Sequence, residues 1–95
     1  MAQKIEGTVD SINEEGFLVT TISAEQLADT PRDESVTVSC GGHDTNCILP
    51  ADHSEPDSTL LAMIGNSGRL EIGIVGIPIG EMLGLKVGEK VVVKW

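Results

Sequence analysis

The sequence has very few aromatic side chains and few basic ones. It contains no tyrosine, and Phe17 and Trp95 are its only aromatic residues. It has 15 acidic residues against 6 basic ones, which gives a formal charge of −9. This charge would repel a phosphate backbone, and stacked bases would find few platforms. We therefore expect neither nucleic acid nor an anionic membrane surface as a partner.

Long apolar runs are also absent. No run approaches the roughly 18 residues of a membrane span, and the opening residues MAQKIEGTVD contain no apolar signal segment. These absences predict a cytoplasmic protein, in which Cys40 and Cys47 would be reduced thiols. The 95 residues predict a single domain, 1–95, with one core and one site at most.

Two apolar runs stand on either side of a four-residue break, Asn-Ser-Gly-Arg at 66–69. The runs 59–64 and 70–75 predict the strands of a β-hairpin. Their apolar residues are too continuous for a sheet with one wet face, so we expect both faces of this hairpin to be covered.

The remaining segments predict further strands and short helical turns. Strand patterns occupy 4–12, as an edge strand, and then 17–22, 35–40, 47–49 and 90–94, with a loop over 41–46. Ser23 and Gln26 match a capping box that would start a short helix ending near Ala28. A second helical turn would follow from Ile79 and end at Gly84. Together these predict an all-β fold, a small Greek-key β-barrel of about seven short strands with one or two short helical turns.

Two motifs within this pattern carry a family resemblance, NSGRLEI at 66–72 and LGLKVGEKV at 83–91. With the order of segments from Ile5 onward, they make the chain similar to the C-terminal domain of the S-adenosylmethionine hydroxide adenosyltransferases and their fluorinase and chlorinase relatives. The resemblance implies a barrel that packs against neighbouring subunits of a trimer and supplies adenine contacts. The larger N-terminal domain of those enzymes has no counterpart in this sequence, so we expect no catalysis by this chain alone and no cofactor.

The resemblance can be carried over residue by residue. The family pattern D-x-F-G-N-L-x-T-N-I falls on 13–22, where Glu15 replaces the stacking Phe and Phe17 replaces an amide. The pattern A-V-N-R-G-S-A-A falls on 73–80 and loses its polar Asn, Arg and Ser. Asn66, Ser67 and Glu71 keep the family identity, and Phe17 could supply a new stacking ring. These four residues are the ligand-binding candidates, with adenosine or S-adenosylmethionine as the implied ligand.

Two other interpretations remain open. Pro78-Ile79-Gly80, Leu83-Gly84 and Val87-Gly88 also resemble the C-terminal domain of bacterial transcript-cleavage factors. Cys40, His43, Cys47 and His53 have the residue types and spacing that a zinc site could use. The structural alternative places the two thiols at the ends of a hairpin and His43 at its exposed loop tip. We predict no metal site, and we hold a Cys40–Cys47 disulfide as an alternative under oxidising conditions.

The segment after the hairpin is apolar where the family carries polar substrate contacts. Its residues Ile74, Ile77, Ile79 and Met82 predict an interface, either with other copies of this chain, possibly as a trimer, or with a separately encoded protein. Glu71, between Leu70 and Ile72, is predicted to pair with Arg69 or Lys90 or to line a surface groove. Two functions follow as hypotheses: a non-catalytic interaction or oligomerisation module, and an accessory subunit that completes an adenosyl site with a separate catalytic domain.

Overall fold

The computed structural model describes residues 3–50, 52–79 and 83–95. The strands in this part of the chain are eight: β1 (Lys4–Ile12), β2 (Leu18–Ser23), β3 (Thr37–Cys40), β4 (His43–Asn46), β5 (Leu49–Pro50), β6 (Leu60–Ile64), β7 (Arg69–Ile74) and β8 (Lys90–Lys94). The all-β fold is therefore confirmed, with eight strands where about seven were predicted. Among the described residues no helix is long and apolar enough to cross a membrane.

The eight strands form one curled sheet, a half-barrel with the order β4-β3-β8-β1-β2-β7-β6-β5. Every pairing is antiparallel except that of β5 with β6. The connections β2 to β3 and β7 to β8 each join strands that two others separate. The sheet curls far enough for the Thr45 hydroxyl of β4 to reach the Leu60 carbonyl of β6 at 3.4 Å.

The strand β1 is central, which corrects its prediction as an edge strand. Its first half, from Lys4 to Thr8, pairs with β8, and its second half, from Val9 to Ile12, pairs with β2. The register shifts between Val9 and Ser11, where the strand passes from one partner to the other. Its alternating polar pattern suggested an edge, but polar residues on the outer face of a barrel occur at any position in the sheet.

The hairpin of β6 and β7 is covered on both faces, as predicted. Its register pairs Leu60 with Ile74 and Ile64 with Leu70. One face joins the main core, which also contains Leu18, Val91 and Val93. The opposite face forms a smaller cluster of Phe17, Leu61 and Met63. Two apolar layers therefore enclose this hairpin.

The predicted short helix after β2 is wrong, although its capping box forms. Ser23 N donates to Gln26 Oε1 at 2.9 Å, and Gln26 N donates to the Ser23 hydroxyl at 3.2 Å. The chain then closes through i to i+3 bonds, from Leu27 N to Ala24 O and from Ala28 N to Glu25 O. With Pro31 so close, the segment is too short for an α-helix and makes successive turns. In the second predicted helical turn, residues 80–82 lie outside the described part of the chain.

The segment 41–46 is not the predicted loop. Only Gly41 and Gly42 turn the chain, both with positive φ, and His43–Asn46 returns directly as β4. Because His43 pairs with Cys40 in β3, it is a strand residue and not the tip of a loop.

Candidate functional site

Two β-turns meet at one end of the sheet because β2 pairs with β7, with Leu18 opposite Ile72 and Val19 opposite Glu71. The first turn joins β1 to β2 through residues 13–17, and the second joins β6 to β7 through residues 65–68. Asn13 shapes the first turn, since its Oδ1 atom accepts hydrogen bonds from Glu15 N at 2.9 Å and Phe17 N at 3.0 Å. Its side-chain amide is then aimed at the second turn.

Glu71 lies between these turns and connects them. It is only 4% exposed and is the one buried carboxylate of the described residues. Asn13 Nδ2 donates to its Oε1 atom at 3.1 Å, and the Ser67 hydroxyl donates to its Oε2 atom at 2.8 Å. Gly65 makes room for the carboxylate, because a side chain at Gly65 would collide with it. The two turns therefore hold Glu71 in a fixed position.

The predicted ion pairs of Glu71 are not formed. Arg69 pairs with Asp10 at 3.1 Å, and Lys90 pairs with Glu6 at 3.1 Å, both at exposed positions. Removing a basic group from water costs free energy, so these two side chains stay at the surface. Glu71 receives its hydrogen bonds from neutral donors instead. Glu71 instead lines a groove, which was the remaining alternative.

This groove, which we call the turn cleft, has a volume of about 370 Å³. Three of the four ligand-binding candidates line it, Asn66, Ser67 and Glu71. Its other lining residues are Asn13, Glu14, Glu15, Val19, His53 and Met63. The cleft thus combines carboxylates, amides and a hydroxyl above a small apolar floor.

The fourth candidate, Phe17, lines a neighbouring cavity of about 400 Å³ together with Glu15, His53, Val75, Gly76 and Pro78. We call it the Phe17 cavity. Because Glu15 and His53 border both spaces, the two are contiguous. Phe17 is 4% exposed, and its ring lies against Gly73, where a methyl group would collide with it. The ring is therefore a buried wall and not a projecting platform.

His53 joins this site without any local signal in the sequence. It belongs to the connection between β5 and β6, far from Asn13 along the chain. Its Nδ1 atom accepts a hydrogen bond from Glu55 N at 3.2 Å. The sequence marked His53 as a zinc-ligand type and did not indicate that it lies beside Asn13 and Glu71.

The predicted interface segment is largely interior, which corrects the expectation of an exposed apolar patch. Ile74 is 6% exposed and Ile79 is fully buried, and Ile77 is half-buried against the same core. The chain turns back after β7, so that Ile77 bridges to Ile74, and Ile79 N donates to Gly16 O at 3.2 Å. Met82 lies outside the described residues.

The thiols and histidines do not assemble. In the described ranges there is no group of three or more His, Cys, Asp or Glu side chains suited to a metal ion. In the backbone ladder Cys40 lies opposite His43, whereas Cys47 N donates to the carbonyl of Val36, which lies four residues before Cys40. At about 3.3 Å per residue along the strand, Cys40 and Cys47 are too far apart for a disulfide. Both thiols are free. Burial, with a contribution from Glu89, raises the pKa of Cys40 to about 11.

Comparison with known proteins identifies the fold. No protein-family model and no curated protein matches the chain. An uncharacterized conserved protein from Thermotoga maritima is similar, with a TM-score of 0.74 and 21% identity over 95% of this chain and 35% of that one. A conserved hypothetical protein from Thermus thermophilus gives 0.67 and 24% over 90% of this chain and 31% of that one. The chain thus has a fold found in larger proteins, and it spans about a third of the length of each.

Proposed function

We propose that this chain is a non-catalytic interaction module, a half-barrel that works by binding a second polypeptide chain. The partner is either another copy of the chain, with a trimer as one form, or a separately encoded protein. The observation that carries the proposal is the pair of contiguous cavities at the two turns. Their polar groups are fixed by hydrogen bonds, and their apolar wall adjoins the polar one, as at the contact surfaces of proteins.

The hydrogen bonds of the cleft favour binding over catalysis. The Ser67 hydroxyl donates to Glu71, and His53 Nδ1 accepts from Glu55 N, so neither forms a nucleophile–base pair with the other. The resemblance to adenosyltransferase barrels, which pack against neighbouring subunits, supports the same role.

The experiment is a measurement of mass by static light scattering at micromolar concentration. Self-association gives a multiple of 10.0 kDa. If the mass is that of a monomer, the chain is mixed with a separately produced catalytic domain of the adenosyltransferase type, and a heterocomplex is expected. A chain that remains monomeric in both measurements contradicts the proposal.

A second candidate function is the completion of an adenosyl site, and one observation favours it. Asn66, Ser67 and Glu71, the residues that keep the family identity, all line the turn cleft, next to the apolar Phe17 cavity. An amide, a hydroxyl and a carboxylate could pair with the polar edge of an adenine ring.

The second candidate is tested by thermal unfolding with adenosine and with S-adenosylmethionine. Ligand at 100 times its dissociation constant stabilises by about 2.7 kcal/mol, and each kcal/mol moves the midpoint of a domain of this size by roughly 4–8 °C. Asn66→Ala should reduce the shift, while Asn46→Ala, outside both cavities, should leave it unchanged. An unchanged midpoint for the parent chain contradicts an adenosyl site in this chain alone.

A further inference from the structure

The combined cavity is lined by acidic side chains. Glu14, Glu15 and Glu71 line it, and no lysine or arginine of the described residues does. Three of the basic residues are engaged in ion pairs elsewhere, because Arg69 pairs with Asp10, and both Lys4 and Lys90 pair with Glu6. The occupant that best fits this space therefore brings a positive charge.

The burial of Glu71 is the main physical reason for expecting a positively charged occupant, because surface carboxylates are already stabilised by water. It is buried, and it receives only one amide and one hydroxyl donor, although a carboxylate can accept about four hydrogen bonds. Within the described ranges no basic group lies at salt-bridge distance from it. A buried charge without an opposite charge is unfavourable, and a cation that enters the cleft would offset this cost.

The Phe17 cavity adds a second requirement. Phe17, Val75 and Pro78 offer apolar surface directly beside the acidic cleft, across the shared Glu15 and His53. A simple metal ion would use only the acidic half, and no group of three suitable ligands is present among the described residues. The matching occupant has a basic side chain and an apolar side chain next to each other.

The chain itself presents such a pair at the turn before β8. Val87, at 56% exposure, is the most exposed large apolar side chain of the described residues, and the exposed Lys86 precedes it. Two backbone hydrogen bonds define the turn and tie it to β1, because Glu89 N donates to Lys86 O at 3.2 Å and Gly88 N donates to Val9 O at 3.0 Å. Lys86 has no ion-pair partner in the described part of the chain. Ile12, the other exposed large apolar residue in the described ranges, has no basic neighbour in sequence.

We propose that the Lys86–Val87 turn of one copy docks into the combined cavity of a second copy, with the Lys86 ammonium group at Glu15 and Glu71 and Val87 against Phe17 and Pro78. This inference rests on the proposed function and names its partner. Since the turn and the cavity are different surfaces, the contact is head-to-tail, and it gives a ring, such as a trimer, where the rotation between copies closes and an open row of copies where it does not.

The test is a charge exchange followed by light scattering. Lys86→Glu and Glu15→Lys, both at exposed positions, should each weaken self-association by about tenfold or more, since each places like charges at the contact. The double variant Glu15→Lys/Lys86→Glu restores opposite charges and should recover the parent mass. Lys94→Glu and Glu34→Lys, exposed and outside both surfaces, are matched controls and should keep it.

Each other outcome overturns the inference. A parent chain that is monomeric in isolation excludes this docking, while the proposed function stands if a separately encoded protein binds. A multimer that both single charge reversals leave intact, or that the double variant fails to recover, means that copies meet at another surface. In that case the interaction module is retained and only the assigned contact fails.

Discussion

The strand β7 and the residues after it contain two regions that the sequence marks as candidate surfaces. In the structure the polar region lines a cleft, whereas most of the apolar region belongs to the core. Glu71 is polar, yet it is buried and organises the turn cleft through Asn13 and Ser67. The segment from Ile74 to Ile79 was predicted as an interface, yet two of its three described isoleucines belong to the core. Apolar character alone therefore predicts the core better than it predicts a docking surface.

The largest effect is expected when a charge is placed in the apolar segment. Ile79→Asp puts a carboxylate at a fully buried position without donors, and it should lower the free energy of unfolding by about 4 kcal/mol or more. Ile77→Asp, at a half-buried position, should cost about 1–2 kcal/mol. Urea unfolding followed by circular dichroism measures both values. Equal, small losses would mean that the segment is a surface after all.

Gly73 lies between the two regions, and its substitution tests how closely they are packed. Gly73→Ala places a methyl group against the Phe17 ring and should destabilise the fold by about 2–3 kcal/mol. Phe17→Leu in the same chain should return part of this loss, because it removes the colliding ring atoms. Thermal melts of the single and double variants provide the comparison. Additive losses would show that the ring and Gly73 are not in contact.

The polar region should depend on its hydrogen bonds more than on its charge. Glu71→Ala removes the acceptor for Asn13 and Ser67 and should cost about 1–2 kcal/mol, whereas Glu71→Gln keeps an acceptor oxygen and should cost less. Chemical denaturation distinguishes the two variants. If Glu71→Gln were the more destabilising, the negative charge itself would be required for the fold.

The last effect is confined to alkaline pH and concerns the buried thiol of Cys40. The pKa of Cys40 rises from 9.0 to about 11 on burial, so above pH 9 the unfolded chain loses a proton that the folded chain retains. The free energy of unfolding should therefore decline between pH 9 and pH 11 and be unaffected by Cys40 below pH 9. Cys40→Ala should remove this part of the decline, and Cys47→Ala should retain it. Identical pH profiles for all three chains would contradict the assignment.

Local patterns were sufficient for much of the fold. The strands 4–12 and 90–94 have the bounds that their apolar and β-branched residues predict, and the bounds of β6 and β7 differ from prediction by at most one residue at each end. The strand β4 was missed because its residues, HDTN, are polar and its formation depends on pairing with β3. The helix after β2 was overpredicted, since a capping box specifies where a helix can start and not whether it has room to continue.

The part of the site that is local in sequence was predicted as well. Asn66, Ser67 and Glu71 are close in sequence and meet at one turn, so a motif was able to mark them together. Asn13 bonds to Glu71 across 58 positions, and His53 enters the site from a separate connection. No local pattern reports such positions, because the Asn13–Glu71 bond forms only when β2 pairs with β7, and His53 is brought in by the connection between β5 and β6.

The pairing of β1 with β8 has a consequence for how this domain can be connected to others. Gln3 N donates to Trp95 O at 2.6 Å, and Trp95 N donates to Gln3 O at 3.0 Å, so residues 3 and 95 are neighbours in space. A polypeptide attached before Gln3 and one attached after Trp95 would leave from the same edge of the molecule, whichever order a gene used. The fold is therefore compatible with insertion into a larger chain as well as with fusion to either side, and it would still retain its turn cleft.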